Sequence, residues 1–289
     1  MLEWWDGFWS IYSTVIFSIG VNAMLALSIY VTLSCGLLSL ANAAFMGIGA
    51  YAAALISIQT GLPFGVALAA SAALPAVVAL VIGMPTLRLS GVYLAMATLG
   101  FGEVVRVVVL NLQITGGPMG INGIPQKTEF WHIALLLCLT LFVLARMRRS
   151  RIGRAFEAIR TDEVAARLMG INVSGYKLMA FVIGAAIAGA AGGLNAHYTF
   201  TIGPGNYAFE NAVDILTMAV FGGTSNLIGP TLGATILTLL PEVLRQFKDF
   251  RLAFNGLILI VVILYLPKGL WDPRRIHAAW RRLRSGGGA

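Results

Sequence analysis

The sequence predicts an all-α polytopic membrane protein, and three features of its composition lead to this fold class. Hydrophobic residues make up 58% of the 289 residues, whereas charged residues make up only 11%. A soluble domain carries roughly 25% charged residues, so the deficit indicates long apolar helices in lipid. The third feature is charge placement, because fourteen of the twenty Lys and Arg residues lie in two blocks, 146–177 and 268–284.

Nine apolar runs predict eight or nine hydrophobic segments. They span residues 11–33, 37–59, 62–84, 92–112, 130–146, 178–199, 212–222, 226–240 and 253–267. A helix needs about 20 residues to cross the hydrocarbon core of a bilayer. The first six runs are long enough or nearly so, and the ninth can be extended from Leu252. Trp4, Trp5 and Trp9 precede the first run and are typical of the aromatic residues at a membrane interface.

The seventh and eighth runs are too short to cross a bilayer alone, and we predict that they form a re-entrant broken-helix pair. The tip of this pair falls at residues 221–226, which read FGGTSN. Non-helical backbone at membrane depth must face protein or a water-filled cavity. Small residues in three of the runs predict close helix contacts, since they let backbones approach. These residues are Gly47, Gly49, Ala50, Gly184, Ala188, Gly189, Gly192, Gly193, Gly229 and Gly233.

The loop charges predict an orientation, because cytoplasmic loops carry an excess of Lys and Arg. With both basic blocks inside, the N-terminus, the 112–129 loop and the 200–211 loop lie outside. Four charged residues then fall outside as a mild departure from the rule, namely Arg245, Lys248, Asp249 and Arg251. The predicted regions are an N-terminal transmembrane bundle (1–145), a cytoplasmic coupling loop and helix (146–177), a C-terminal transmembrane bundle (178–272) and a cytoplasmic basic tail (273–289).

The net charge of +8 does not indicate a nucleic-acid partner. A nucleic-acid surface needs a folded soluble domain to display it, and no polar stretch is long enough to form one. Cys35 and Cys138 lie within or beside apolar runs, with no Cys or His at ligand spacing, so we interpret them as small buried apolar residues. The sequence therefore predicts no metal site.

The hydrophilic segment, residues 146–177, contains its own helical pattern over 154–169. Glu163 precedes Arg167 by four residues, the favourable order for an ion pair, and Gly170 is typical of a helix end. The residues expected in the exit loop are Asn172 and Ser174. A partial apolar face comes from Phe156, Ile159, Ala166, Leu168 and Met169. Such a helix suits either a partner's groove or the lipid headgroups, and the pattern leaves both open.

Glu103 and Arg106 are ionisable residues within the fourth apolar run, three positions apart on one helical face. Their spacing allows an ion pair, and a charge at membrane depth indicates function by default. One hypothesis is that they line an aqueous pathway or a gate for a zwitterionic solute. The alternative is a structural ion pair, or a helix end near the interface. Further polar candidates for the pathway are Asn42, Thr98 and Asn111.

The 113–125 loop is rich in Gly and Pro and lies outside in the predicted topology. It can contact a delivery protein or cover the pathway, and it can equally be a turn-rich connector. The candidate residues in this outer loop are Gly116, Gly117, Pro118 and Gly120. His197, beside the other outer loop, is interpreted as a hydrogen-bonded structural residue.

The hydrophilic segment resembles the coupling loop of bacterial ABC importer permeases, whose pattern is Glu-Ala-Ala, three residues, Gly. Ala165, Ala166 and Gly170 match that pattern, whereas Val164 stands at the Glu position and Glu163 lies one residue early. Further stretches resemble LivM-type permeases of branched-chain amino acid ABC transporters, and the resemblance covers most of residues 15–272. They are 89–95, 98–106, 115–121, 196–198, 222–223, 229–230 and 266–270.

The resemblance implies an ABC importer permease fold in a bacterial inner membrane. It implies a heterodimer with a LivH-type permease, two cytoplasmic ATPase subunits that bind ATP and Mg, and a periplasmic or surface substrate-binding protein. The residues that would couple to the ATPase are Arg154, Glu163, Ala165, Ala166 and Gly170. The chain contains no GxxxxGK[ST] phosphate loop, so we expect no cofactor and no enzymatic activity in this chain itself.

Two other function classes remain alternatives. A stand-alone channel or secondary carrier for a small polar or zwitterionic solute also uses broken helices. A membrane-embedded enzyme needs clustered His and acidic residues within the spans, and three scattered histidines do not supply such a cluster. The sequence leaves the cargo open between branched-chain amino acids, other amino acids, amides and urea.

Overall fold

Residues 2–224 and 226–243 are described by the structure, a computed structural model, with side chains from Tyr12 to Glu242. The helices are α1 Leu2–Ser34, α2 Asn42–Gln59, α3 Phe64–Thr86, α4 Val92–Asn111, α5 Phe130–Arg148, α6 Arg151–Thr161, α7 Glu163–Leu168, α8 Val173–Thr199, α9 Phe209–Gly222 and α10 Ile228–Val243. Two short strands, β1 Ile121–Asn122 and β2 Thr201–Ile202, pair antiparallel. The predicted ninth run, the charged residues after 244 and the basic tail lie outside the described residues.

Six helices are long and apolar enough to cross a membrane, namely α1 from Tyr12 onwards, α2, α3, α4, α5 and α8. They coincide with the first six apolar runs and confirm the all-α polytopic membrane fold. Two starts differ from the prediction. α2 begins at Asn42 because residues 35–41 first leave α1 through Gly36, whose φ is +76°. α8 begins at Val173, since its first turn is polar and the hydropathy pattern excluded it.

Helices α1, α2 and α8 form the centre of the bundle, with 61–67% of each span buried, whereas α3, α4 and α5 are only 11–22% buried. Glycines bring α8 against its neighbours, as the small-residue pattern predicted. A Cβ at Gly49 of α2 would collide with the backbone of Gly189, and one at Gly192 with the carbonyl of Met46. A Cβ at Gly189 would in turn meet Pro75 of α3. Three helices therefore meet backbone to backbone.

The predicted broken-helix pair is present as α9 and α10, which have 14 and 16 residues. Their backbones touch at the joint, where a Cβ at Gly222 would collide with Gly229. α10 then packs along α1, and Asn22 Nδ2 donates to Thr238 Oγ1 at 2.9 Å. The tip of the pair lies at the end of the bundle that carries α6 and α7, called here the segment end.

At the opposite end, strand pairing joins the 112–129 loop to the residues that follow α8. Ile121 lies opposite Ile202 in this ladder. The chain then turns back into the bundle through a 3₁₀ turn at Pro204–Tyr207. The ring of Tyr207 packs against Gly47 of α2, where a Cβ would lie 2.9 Å from it. α9 consequently starts beside α2, with Phe209 and Glu210 exposed and Ala212 as its first buried residue.

Candidate functional site

The hydrophilic segment forms two helices, so the prediction of one helix over 154–169 is wrong. The chain is extended at Asp162, with φ −155° and ψ 110°. Asp162 Oδ1 accepts the backbone N–H groups of Val164 and Ala165 at 2.8 and 3.0 Å. Aspartate is a favoured N-cap, so it starts α7 and separates it from α6. The capping residue was visible in the sequence, but the continuous helical pattern concealed it.

The residues of the predicted apolar face do not all point the same way, because three are buried in the bundle and two are exposed. Phe156, Ile159 and Ala166 are buried in a cluster with residues of α1 and α8. On α7, Val164 and Leu168 each lie two residues from Ala166, which places them on the opposite side of the helix. The three exposed apolar side chains of α7 and its C-cap are Val164 (69% exposed), Leu168 (83%) and Met169 (84%). A group of exposed apolar side chains of this kind suits either a groove on a partner protein or the lipid headgroups.

Gly170 ends α7 as predicted. Its φ of +81° is strained for other residues. Its N–H donates to the Arg167 carbonyl and the N–H of Ile171 donates to the Ala166 carbonyl, both at 3.1 Å. This is a Schellman motif, which satisfies the last carbonyls of the helix. Asn172 caps α8 through its side chain, and Ser174 lies inside α8 and not in an exit loop.

Glu163 joins α7 to the first turns of α8. Its Oε1 accepts from Arg167 Nη2 at 3.2 Å, which confirms the predicted i,i+4 pair. Its Oε2 accepts from Lys177 Nζ at 2.6 Å, and Lys177 is buried. Local sequence spacing could not predict the contact with Lys177, because fourteen residues and two helix ends separate it from Glu163. Of the other predicted coupling residues, Arg154 and Ala165 are exposed and Ala166 is buried.

Two arginines of the segment end bind the tip of the α9–α10 pair. Arg148 Nη1 donates to Asn226 Oδ1 at 2.7 Å. Arg160 Nη2 donates to Thr224 Oγ1 at 3.0 Å, and Arg160 Nη1 donates to the Thr224 carbonyl at 3.4 Å. The tip is therefore held by α5 and α6, a contact that sequence reasoning missed.

Glu103 and Arg106 form the predicted ion pair on α4, with Arg106 Nε 2.8 Å from Glu103 Oε2. Both side chains are about one-third exposed. Glu103 lines a narrow cavity between α4, α2 and the start of α9, together with Ala43, Tyr207 and Ala212. The cavity has room for about one water molecule. The pair thus lies beside an internal space on a helix that is otherwise largely uncovered.

Two buried tyrosines were not among the predicted site residues. Within the described part of the chain, neither Tyr51 Oη nor Tyr207 Oη has a hydrogen-bond partner. The two rings lie edge to face with centroids 6.0 Å apart. An unpaired buried hydroxyl costs about 1–3 kcal/mol, so each one marks a place for water or a polar solute. Tyr207 lines the same cavity as Glu103.

The other polar candidates occupy different positions. Asn42 Nδ2 donates to Ser28 Oγ at 2.7 Å, and Thr98 Oγ1 accepts the Leu40 N–H at 3.0 Å. Both side chains are buried and hold the non-helical residues before α2 against α1 and α4. Asn111 is exposed at the end of α4, where its side chain bonds the backbone of its own helix. A role for any of them in a pathway stays a prediction.

The outer-loop candidates form a tight, packed turn. Gly116, Gly117 and Gly120 have positive φ values of 74°, 55° and 68°, and Pro118 lies in a 3₁₀ turn between them. A Cβ at Gly120 would collide with the carbonyl of Ile202. Turn geometry alone therefore accounts for these glycines. The exposed large apolar side chains of this loop are Met119, at 85%, and Ile114, at 64%. Contact with another protein stays a prediction.

His197 is a structural residue, as interpreted from the sequence. Its Nε2 lies 2.6 Å from Ser57 Oγ, and its Nδ1 lies 2.9 Å from the Gly193 carbonyl. Both ring nitrogens are satisfied within the bundle. Across residues 2–224 and 226–243, no three His, Cys, Asp or Glu side chains are grouped as metal ligands would be.

Comparison with known proteins gives consistent similarities. The family model described as "Branched-chain amino acid transport system / permease component" matches residues 11–266. The high-affinity branched-chain amino acid transport system permease protein LivM of Escherichia coli K12 is 35% identical over 89% of this chain and 67% of its own length, as is LivM of Salmonella typhimurium LT2. LivH of Escherichia coli K12 is 32% identical over 50% of this chain and 47% of its own length. No solved structure matches.

Proposed function

The chain belongs to the family of branched-chain amino acid transport permeases, and we propose that it is one permease subunit of an ATP-driven importer. In this proposal it pairs with a second permease of the LivH type to form a pathway for branched-chain, hydrophobic amino acids. Two cytoplasmic ATPase subunits drive the pathway and bind the ATP and Mg. A periplasmic or surface binding protein delivers the amino acid. The chain itself is a transporter subunit of the bacterial inner membrane and not an enzyme.

The observation that supports this proposal most strongly is the shape of α7. It is anchored by the Asp162 cap, by Ala166 and by the turn at Gly170, while Val164, Leu168 and Met169 project away from the bundle. An amphipathic helix held in this way suits a groove on a partner protein. Fully burying an apolar side chain of this size contributes about 1.5–3 kcal/mol. We therefore place the hydrophilic segment in the cytoplasm, where an ATPase can bind it.

Two contacts would carry movement of α7 and α6 into the membrane. The Glu163–Lys177 ion pair links α7 to α8, the helix packed between α2 and α3. The bond between Arg160 and Thr224 links α6 to the tip of the α9–α10 pair. Because α9 starts beside the cavity lined by Glu103 and Tyr207, a displaced tip would change that cavity. This supports a mechanism in which the segment transmits the motion of a partner.

We assign the Glu103–Arg106 pair to the pathway. Charged groups facing hydrocarbon are costly, so a pair that is one-third exposed on α4 needs water or a second protein beside it. A pathway shared with a second permease supplies both. The opposite charges of the pair complement the ammonium and carboxylate groups of an amino acid.

The test is a double replacement on α7, Leu168→Glu with Met169→Glu. Charged side chains on this surface should abolish co-purification of the ATPase subunits and ATP-dependent leucine uptake in proteoliposomes, while membrane insertion is retained. The matched control is Met119→Glu, an equally exposed methionine at the opposite end, which should keep the ATPase bound. Leucine uptake that continues without ATPase subunits would instead support a stand-alone carrier.

A further inference from the structure

A second cavity, of about 570 Å³, lies at the segment end between the last turn of α3, α7 and the start of α8. Its charged lining residues are Arg88, Glu163, Arg167 and Lys177. It is distinct from the narrow cavity beside Glu103, and the transport mechanism proposed above makes no use of its interior. Its volume is large enough for a phosphate group with part of a headgroup.

The charges around this cavity favour an anion. Three cations line the cavity with a single carboxylate, Glu163, which binds Arg167 and Lys177. None of the three ion pairs found among the described residues includes Arg88, and its side chain is exposed. The N-terminal turn of α8, which also lines the cavity, adds the positive end of a 27-residue helix dipole.

The apolar side of the cavity continues along α3. Met84 lines the cavity and is 58% exposed, and Val81 and Val77 lie on the same helix face at 63% and 60% exposed. This strip is suited to an acyl chain. Basic pockets between transmembrane helices at the cytoplasmic side are typical binding places for anionic lipid headgroups.

We propose that this cavity binds the phosphate of an anionic phospholipid, with Arg88, Arg167 and Lys177 around the phosphate and the acyl chain along α3. The inference rests on the proposed function only in placing this end in the cytoplasm, which makes the inner leaflet the source of the lipid. A carboxylate of a docked protein is the less favoured occupant. The apolar side chains of α7 that would meet such a partner lie outside the lining of this cavity.

The lipid is tested by native mass spectrometry of the chain purified from its membrane with the subunits that accompany it. Phosphatidylglycerol and phosphatidylcholine are titrated separately, and inorganic phosphate is added as a competitor. We expect phosphatidylglycerol to bind more tightly, and Arg88→Gln to weaken it about fivefold, the usual effect of one basic residue on an anionic membrane lipid. Glu163→Gln should tighten the binding of phosphatidylglycerol, because it frees Lys177 and Arg167 from their ion pairs with Glu163. The control is Arg151→Gln, because Arg151 is exposed and lies outside the cavity. It should leave the affinity for phosphatidylglycerol unchanged.

Each other outcome overturns the lipid site. Equal binding of the two lipids, which both carry a phosphate, means that the cavity does not select an anionic headgroup. No response to Arg88→Gln and Glu163→Gln means that the charges of the cavity do not hold the lipid phosphate. Displacement of phosphatidylglycerol by millimolar inorganic phosphate means that the ligand is a soluble anion. Loss of the lipid when ATPase subunits bind means that a carboxylate of the partner occupies the cavity. None of these measurements depends on uptake, so the proposed transport function is tested independently.

Discussion

Gly170 is the residue at which backbone conformation alone constrains the end of α7. Nothing lies within 4 Å of the position that a Cβ would take, so its φ of +81° is the constraint. For Gly170→Val we expect a strain of about 1–2 kcal/mol in the left-handed conformation. The native end of α7 would be lost in most molecules. Leucine uptake should fall while membrane insertion and ATP hydrolysis persist, as measured in proteoliposomes.

The matched control is Gly61→Val. Gly61 also has a positive φ, +61°, with open space around it, but it lies between α2 and α3 at the opposite end. It should carry similar strain and leave coupling intact. Equal loss of uptake in both variants would show that backbone strain in any loop disables the protein. A specific role for Gly170 in coupling would then be wrong.

Replacing Glu103 and Arg106 together by Gln distinguishes a role of this ion pair in the pathway from a purely structural role. Each single replacement leaves one charge unpaired in the fourth span, at a cost of up to about 2.5–3.5 kcal/mol at membrane depth. The double variant removes that penalty, so it should express and melt near the unmodified protein while leucine uptake falls severalfold. Unchanged uptake would remove the pair from the pathway. Failure to insert would favour a purely structural role.

At the scale of single residues, the sequence predicted ion pairs within one helix but not polar contacts between helices. The Glu103–Arg106 and Glu163–Arg167 pairs follow from helical spacing, and both are present. The Lys177 partner of Glu163 depends on how α7 and α8 are oriented at Gly170, which no local pattern encodes. The Tyr207 hydroxyl, which has no hydrogen-bond partner among the described residues, lies where it does only because the helices assemble around it.

At the scale of elements, the bond between α6 and the tip of the α9–α10 pair carries a prediction of its own. Arg160→Gln removes both hydrogen bonds of the guanidinium to Thr224, whereas Thr224→Val removes only the bond to the hydroxyl, worth about 1.5–3 kcal/mol. Each should lower the leucine taken up per ATP hydrolysed, and the double variant should be no worse than Arg160→Gln, because that change already removes both bonds. The measurement is a double-mutant cycle on this ratio.

Additive losses would mean that the two side chains act separately and that this contact transmits nothing. A further comparison is Asn22→Ala, which removes the bond of the same helix pair to α1 through Thr238. That change should lower thermal stability without altering the ratio of uptake to hydrolysis.

The pattern of apolar residues predicted which helices exist but not where each one begins or ends. The six long spans, the short α9 and the short α10 all coincide with apolar runs. The hydrophilic segment was expected as one helix because a helical pattern continues through Asp162, but the side chain of Asp162 caps a new helix there. The residues before α2 were expected to be helical for a similar reason. Thr98 and Asn42 hold them instead.

For the whole molecule, the predicted orientation has a direct test by cysteine labelling. Cys138 is exposed on α5, so its interpretation as a buried residue is wrong, and it is replaced by Ala. Cys35 is buried as interpreted and can remain, because burial raises the pKa of its thiol to about 12, which keeps it protonated and unreactive at neutral pH. Leu168→Cys and Met119→Cys are then labelled with a membrane-impermeant maleimide in intact and inverted vesicles.

We expect Leu168→Cys to react only when the cytoplasmic face is accessible and Met119→Cys only from the other side. Both side chains are more than 80% exposed in this chain. Because the proposed ATPase groove would cover Leu168, the vesicles are first stripped of peripheral subunits. The reverse pattern would place α7 beyond the reach of any cytoplasmic ATPase, and the proposed mechanism would be wrong.

The glycine contacts of α8 limit how the bundle can move. Where α2, α3 and α8 touch through backbone atoms at Gly49 and Gly189, no side chain is available to change rotamer or to absorb compression. These three helices therefore behave as one stiff block. If the transporter switches between states, we expect these three helices to move as one unit relative to the α9–α10 pair.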